Sequence, residues 1–231
     1  MDFDYYKLLK GFETNGYKTI FFNELSDTGQ LIIRHDIDYD CKLAYNMSLM
    51  EKENRVKATY FFMMGNPIYN LFSKENRDYI EGIKENGHAI SIHFDPTIYD
   101  DISLGLQKEV DIFQSYFDTK VDIVSIHRPH DDFINNDNLI NGIEHTYQTK
   151  YMKDIKYISD SRAEFRYGHP FESEEFRNNE SIQLLIHPAW WMLKSNSIID
   201  MIEKMIDNNL VVNRDYFRDN VIPYREYLEK D

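Results

Sequence analysis

Short apolar runs alternate with longer amphipathic stretches along most of this 231-residue chain. Each run is rich in β-branched and aromatic residues and is short enough for a strand, since strands usually span about 4–8 residues. The runs are "LIIRHD" (31–36), "ATYFFMM" (58–64), "AISIHF" (89–94), "VDIVSIH" (121–127), "IKYISD" (155–160) and "IQLLIH" (182–187). They begin roughly thirty residues apart, about the size of one strand-plus-helix unit.

Helical patterns lie between and after these runs, within 41–54, 73–87, 103–117 and 195–209. The last of these helices begins with a serine cap and has an apolar face of Ile198, Ile199, Ile202 and Met205. Strands and helices that alternate in this way predict a parallel sheet covered by helices, either open or closed into a barrel. Because no linker-like tract or internal repeat interrupts the pattern, we expect a single domain over residues 1–231.

Polar residues stand where the predicted strands end. They are Asp36 and Asp38 after the first strand, His93 and Asp95 after the third, His127 and Arg128 after the fourth, Asp160 after the fifth and His187 after the sixth. The carboxyl ends of parallel strands meet on one side of such folds, and sites are built there. The sequence therefore predicts a shared polar pocket at this edge.

Asp36 and Asp38 point the same way, because alternate residues of a strand share a face. Two neighbouring carboxylates repel each other unless a cation, a shared proton or water relieves them. Carboxylate with imidazole suits a divalent transition metal, Zn²⁺, Mn²⁺, Co²⁺ or Ni²⁺. His93 is a candidate ligand, whereas His88 lies five positions earlier on the opposite face and is assigned a structural role. His187 is either a general acid or a core histidine.

Composition narrows the classes of function. The formal net charge of −14 disfavours binding to nucleic acid. A single cysteine, Cys41, excludes an internal disulfide framework. The acidic start and the lack of a long apolar run predict a soluble, cytoplasmic protein with no membrane span. No glycine-rich phosphate loop follows any strand, which argues against a nucleotide cofactor.

Taken together and in order, the motifs "RHDIDYD", "ATYFFMM", "GHAISIHFDP", "SIHRP", "YISDS" and "LLIHPAWW" resemble the polysaccharide deacetylase family, carbohydrate esterase family four. The likeness is closest to its intracellular branch, which resembles enzymes of surface-polysaccharide biosynthesis. The resemblance implies an α/β fold, a distorted seven-stranded (β/α) barrel that is TIM-like. It also implies a divalent metal that assists removal of N- or O-acetyl groups from sugars.

By this resemblance Asp36 falls on the catalytic base and Asp38 on a metal ligand. His93 falls on the first histidine of the family's metal pair, but Thr97 stands where the second is expected. Either His127 or Asp95 then completes the ligand set, or the metal is weak or absent.

The family's arginine-proline motif falls on His127, Arg128 and Pro129, and its late histidine, the expected acid, falls on His187. We assign Arg128 the role of orienting Asp36, and Asp160 that of orienting His187 or Arg128. The predicted metal ligands are therefore Asp38, His93 and His127, with zinc as the leading metal.

The leading hypothesis is metal-dependent hydrolysis of an acetyl or related acyl group on an amino sugar or its glycan precursor. The substrate of a cytoplasmic deacetylase would be nucleotide- or lipid-linked. An aromatic groove would hold the sugar, lined by some of Tyr39, Phe94, Tyr99, Trp190 and Trp191. Two alternatives stay open: a metal-dependent phosphoesterase, and a non-catalytic relative that binds a sugar or a metal. The sequence gives no oligomeric state.

Overall fold

A parallel sheet organises the first of two compact units, which ends at Met192; the second begins at Leu193. The computed structural model describes residues 4–134, 136–166 and 168–229. The strands in this part of the chain are β1 (Lys18–Ile20), β2 (Gln30–Ile37), β3 (Thr59–Phe62), β4 (Ala89–Phe94), β5 (Ile123–Ile126), β6 (Glu144–His145), β7 (Lys156–Ser159) and β8 (Ile182–Ile186). The expectation of one domain over 1–231 stays a prediction.

Every ladder of the sheet is parallel, and the strand order is β6-β5-β4-β3-β2-β8-β7, with β1 pairing beside the first part of β2. The seven strands of the main order curl into a half-barrel. This arrangement confirms the predicted fold class, α/β with a distorted seven-stranded barrel. Each of the six apolar runs of the sequence overlaps a strand of the main order.

Helices follow most of the strands. They are α1 (Tyr5–Thr14), α2 (Cys41–Glu53), α3 (Lys74–Glu85), α4 (Ile102–Phe117), α5 (Thr149–Met152), α6 (Glu174–Arg177), α7 (Pro188–Met192), α8 (Ile198–Asn220) and α9 (Ile222–Leu228). Side-chain caps explain where the four predicted helices begin, since Asp40, Ser73, Asp101 and Ser197 accept hydrogen bonds from backbone N–H groups of the first turns of α2, α3, α4 and α8. None of the described helices is long and apolar enough to span a bilayer.

The second unit contains α8 and α9. Helix α8 extends to Asn220, well beyond the predicted 195–209. Of its predicted apolar face, Met205 is buried but Ile199 is 67% exposed. Ile198 and Ile202 are exposed as well, so only Met205 of these four residues is buried.

Register explains how side chains from several strands come together. Residues that pair directly across parallel strands point to the same side of the sheet. Asp36 pairs with Phe61, and Phe61 pairs with Ser91 two residues before His93. His93 in turn pairs with Ser125, two residues before His127. The two-residue period therefore directs Asp36, His93 and the residue at 127 to the inner face of the half-barrel.

The outer face of β2 carries a different polar cluster, centred on the fully buried Glu51 of α2. Tyr5 and Tyr60 each donate a hydroxyl hydrogen bond to its carboxylate, and His35 Nε2 lies 2.8 Å from Glu51 Oε1. Burial would raise the pKa of Glu51, but His35 holds it below its usual value. His88 Nδ1 lies 3.6 Å from Glu51 Oε2, so the structure places His88 in this cluster, away from the inner face.

Candidate metal centre

Three potential metal ligands converge at the carboxyl ends of β2, β4 and β5. His93 Nε2 lies 3.2 Å from Asp38 Oδ1 and 3.1 Å from His127 Nδ1. His127 Nδ1 lies 3.7 Å from the same oxygen of Asp38. The three residues form a group that could hold a metal ion.

The separations of these three atoms fit a tetrahedral ion. Bonds of zinc to nitrogen and oxygen are about 2.0–2.2 Å, so two ligand atoms on one ion lie about 3.3–3.6 Å apart. The three separations here, 3.2, 3.1 and 3.7 Å, fall close to that range. Asp38 Oδ1 is also buried without a hydrogen-bond partner among the described residues, as expected of a ligand atom.

Neighbouring groups favour the protonation states that Asp38, His93 and His127 would need to bind a metal. Ser125 Oγ lies 2.6 Å from His93 Nδ1, so this nitrogen can donate a hydrogen bond and Nε2 keeps its lone pair for a metal. Burial, followed by the proximity of His93, lowers the pKa of His127 and favours the neutral imidazole that a metal requires. Burial would raise the pKa of Asp38, but the adjacent histidines His93 and His187 lower it.

Thr97 and Asp95 lie outside this group. Asp95 Oδ1 accepts hydrogen bonds from the Thr97 N–H at 2.9 Å and from the Thr97 hydroxyl at 2.6 Å. These bonds cap the short 3₁₀ turn Pro96–Ile98. Of the two ways to complete the ligand set, the structure brings His127 to Asp38 and His93.

Asp36 is held by an arginine of its own strand. Arg34 Nε donates to Asp36 Oδ1 at 2.9 Å and Arg34 Nη2 donates to Asp36 Oδ2 at 2.7 Å. Both side chains are buried, with 0% of Arg34 and 3% of Asp36 exposed. Although burial opposes ionisation, Arg34 holds the pKa of Asp36 well below its usual range. On its other side, Asp36 Oδ2 lies 3.7 Å from His93 Nε2.

Asp36 thus has an orienting partner that we did not predict, Arg34, and the orienting role assigned to Arg128 stays a prediction. Arg34 is two residues before Asp36 on the same face of β2, so its guanidinium meets the carboxylate directly. Arg128 follows β5 and is exposed. Tyr147 completes the pocket of Arg34, with its ring centroid 4.8 Å from the guanidinium carbon and its hydroxyl 3.2 Å from Nη2.

His187 lies beside the candidate ligand Asp38, with its Nε2 3.7 Å from Asp38 Oδ2. Asp160 Oδ1 lies 2.6 Å from His187 Nδ1, and Trp191 Nε1 donates to Asp160 Oδ2 at 2.6 Å. Burial lowers the pKa of His187, but Asp160 more than offsets this and raises it to about 9. Of the two partners considered for Asp160, the structure therefore pairs it with His187.

The aromatic residues near the site differ in how far they are exposed to a substrate. Tyr39 is partly exposed, and its ring packs against Trp190 with a centroid separation of 5.1 Å. Phe94 is 0% exposed, so it belongs to the core and cannot line the predicted groove. Tyr99 stacks on Phe94 and donates its hydroxyl to Glu109 at 2.8 Å.

Sequence reasoning missed two residues of this site, Arg34 and Ser125. Both lie two positions before a residue that we did single out, Asp36 or His127. The same two-residue period that placed Asp36 beside Asp38 would have directed both side chains to the inner face.

Comparison of the chain with protein-family models gives no match, and comparison with curated proteins gives none either. Among solved structures it is similar to a family 4 carbohydrate esterase from Bacillus anthracis, at 16% identity over 91% of this chain and 87% of that one, with a TM-score of 0.42. It is similar to the peptidoglycan deacetylase PdaC from Bacillus subtilis, at 11% identity over 78% of this chain and 82% of that one, with a TM-score of 0.43.

A pseudoenzyme of the CE4 family from Bacillus anthracis is also similar, at 16% identity over 78% of this chain, with a TM-score of 0.41. The chain spans 59–63% of the length of the three structures of that pseudoenzyme and its mutants. The roles of the site residues given above therefore rest on geometry alone.

Proposed function

We propose that this protein is a metal-dependent hydrolase that removes an acetyl or related acyl group from an amino sugar or its glycan precursor. One observation supports it above all: a carboxylate held ionised and a histidine held protonated flank the same group of metal ligands. Asp36 lies 3.7 Å from His93 Nε2, and His187 Nε2 lies 3.7 Å from Asp38 Oδ2. Hydrolysis of an amide needs both a base and an acid in such positions.

Asp38, His93 and His127 would hold the metal, with zinc first and manganese, cobalt or nickel as alternatives. When bound, the ion supplies Lewis-acid polarisation of the substrate carbonyl and of water. A donor set of two imidazoles and one carboxylate suits such a catalytic ion.

Asp36 is the proposed general base. Its carboxylate receives two charge-assisted hydrogen bonds from Arg34, so it is ionised and fixed in orientation at neutral pH. An ionised carboxylate can accept the proton of the attacking water. Arg34 is a positioning residue, because it acts through Asp36.

His187 is the proposed general acid. Asp160 fixes the proton on Nδ1, which leaves Nε2 directed at the site as the nitrogen that gives its proton to the leaving amine. A pKa of about 9 keeps the imidazole protonated at neutral pH. Trp191 anchors Asp160 and so fixes the ring of His187 indirectly.

The test is a panel of substrates offered to the protein loaded with zinc, manganese, cobalt or nickel. The panel contains N- and O-acetylated amino sugars, free and as nucleotide-linked forms, together with phosphate monoesters. We expect acetate, or a similar small acid, from an acylated sugar, and at least about a hundredfold slower release by Asp36→Asn.

Three outcomes would contradict the proposal. Cleavage of phosphate esters alone would support the phosphoesterase. Sugar binding without any turnover would support the non-catalytic relative. Equal rates for the wild type and Asp36→Asn would remove Asp36 from the role of base. The likeness to the surface-polysaccharide branch stays a prediction that the nucleotide-linked substrates test.

A further inference from the structure

Arg128 is a cation at the rim of the site that the proposed chemistry leaves without a role. It follows His127, a proposed metal ligand, and its side chain is exposed. Arg34 already orients Asp36 through two hydrogen bonds, so this orientation does not require Arg128.

The backbone of Arg128 is unusual. Its φ is +49°, in the left-handed region that residues other than glycine rarely adopt. Residues other than glycine that are held there are strained, and such residues cluster at functional sites. The adjoining hydrogen bond from the His127 N–H to the Phe94 carbonyl, 2.7 Å long, fixes the chain just before the turn. The turn thus holds an exposed, charged residue immediately after the proposed ligand His127.

Arg128 has no ion-pair partner within 4.0 Å among the residues that the structure describes, and three acids of the site and of the following loop have other partners. Asp36 is bound by Arg34, and Asp95 caps the turn at Thr97. Asp132, in the loop that follows Arg128, lies 3.1 Å from His130.

Arg128 and Tyr39 adjoin the same group of residues, because Tyr39 directly follows Asp38, Arg128 directly follows His127, and His127 Nδ1 lies 3.7 Å from Asp38 Oδ1. Tyr39 and Trp190 form the aromatic wall of the site. Tyr39 packs on Trp190. A sugar whose ring lies against this wall would therefore bring its substituents within reach of the guanidinium.

We propose that the substrate is an acylated amino sugar with a negatively charged group, a phosphate or a carboxylate, and that Arg128 binds this group. The inference rests on the function proposed above and specifies its substrate class. A guanidinium matches such anions because its fork of donors can bind two oxygens at once. The chain as a whole carries a charge of −14. This net charge would repel an anionic substrate. Because fields are screened beyond about 8 Å at physiological salt, a cation at the entrance would dominate the local field and offset that repulsion.

The experiment measures equilibrium binding and hydrolysis with one neutral and three charged probes. The probes are N-acetylglucosamine, its 1-phosphate, its 6-phosphate and N-acetylmuramic acid, so that the phosphate and carboxylate arms are separate. The variants are Arg128→Gln and Arg128→Lys. The matched control is Arg55→Gln, because Arg55 is also exposed and left-handed, with φ +56°, but lies between α2 and β3 at the opposite end of the strands.

We expect the wild type to bind at least one charged probe more tightly than N-acetylglucosamine. Arg128→Gln should reduce that preference by about tenfold, as a rise in Kd and in KM rather than a fall in kcat. Arg128→Lys should restore part of it, Arg55→Gln should keep all of it, and added salt should weaken it in the wild type.

The outcomes separate this inference from the function on which it rests. Equal binding of neutral and charged probes by the wild type, or an unchanged preference in Arg128→Gln, overturns the role of Arg128 even if acetate is released. A preference that Arg128→Gln abolishes, without hydrolysis of any probe, supports the anion site and contradicts the proposed reaction.

Discussion

Replacing Arg34 with glutamine should strongly destabilise the first unit of the chain. The substitution removes both hydrogen bonds to Asp36, at 2.9 and 2.7 Å, and leaves a carboxylate that is 3% exposed with no cation of its own. Removing one partner of a buried ion pair typically costs about 3–5 kcal/mol, because the remaining charge is uncompensated. The free energy of unfolding of a domain is usually only about 5–15 kcal/mol, so the loss of the ion pair would remove a large fraction of it.

The assay is thermal unfolding at pH 7, followed by the fluorescence of Trp190 and Trp191, which are the two tryptophans of the chain. The melting temperature should fall by roughly 6–20 °C, at about 2–4 °C for each kcal/mol. The double variant Arg34→Met/Asp36→Leu should recover most of the loss, since it leaves no unpaired charge.

Arg128→Gln is the matched comparison, because the same substitution there removes an exposed guanidinium. It should change the free energy of unfolding by less than about 0.5 kcal/mol. If Arg128→Gln destabilises the protein as much as Arg34→Gln does, the assignment of Arg34 as the partner of Asp36 is refuted.

Other predictions concern the metal, the acid and the pH dependence of stability. His93→Ala should weaken zinc binding by at least about a hundredfold in calorimetric titration, whereas His88→Gln should leave it unchanged; equal affinities would contradict the ligand assignment. His187→Ala should slow amide hydrolysis far more than hydrolysis of esters with good leaving groups, because such esters need less protonation of the leaving group. Equal losses in kcat for both substrates would contradict the role of His187 as general acid. Burial raises the pKa of Glu109 from 4.5 to about 7, so the folded protein loses stability as the pH rises between these values. The variant Glu109→Gln still accepts the Tyr99 hydrogen bond but cannot ionise, so its stability should not depend on pH in this way. At pH 8 it should be more stable than the wild type by roughly 2–3 kcal/mol. If its stability follows the wild-type curve, the raised pKa of Glu109 is contradicted.

The strand ends show what the sequence could predict. Short apolar runs ending in Asp, His or Asp–His pairs indicated parallel strands and one polar edge, and the structure brings Asp36, Asp38, His93 and His187 together there. The two-residue period places side chains of one strand on a common face, and the parallel order brings the carboxyl ends of different strands to one edge.

The partners of these residues depended on register and loops, which the sequence does not specify. Arg34 lies inside the run "LIIRHD", where its neighbours indicate only a buried strand. Its pocket becomes evident only when Tyr147, 113 positions later, packs against it. His127 reaches Asp38 and His93 because β5 pairs with β4 at Ser125 and His93, and apolar periodicity carries no information about that pairing.

Element lengths were the least predictable feature. Helix α1 and strand β1 precede the first recognised run, and β1 has only three residues, too few for a periodic signal. Helix α8 continues to Asn220 through a segment that exposes Val211, Val212 and Tyr216, so its apolar residues do not form the single stripe on which the prediction relied.

The most direct test of the proposed function is a titration of activity with metal. The purified protein is stripped with a chelator, zinc is returned in steps, and the rate of acetate release from an N-acetylated amino sugar is recorded at each step. The site formed by Asp38, His93 and His127 predicts no release from the stripped protein and a rate that rises linearly to a break at one ion per chain. Acetate release that survives chelation, or no release at any zinc concentration, would contradict the assignment of a metal-dependent deacylase.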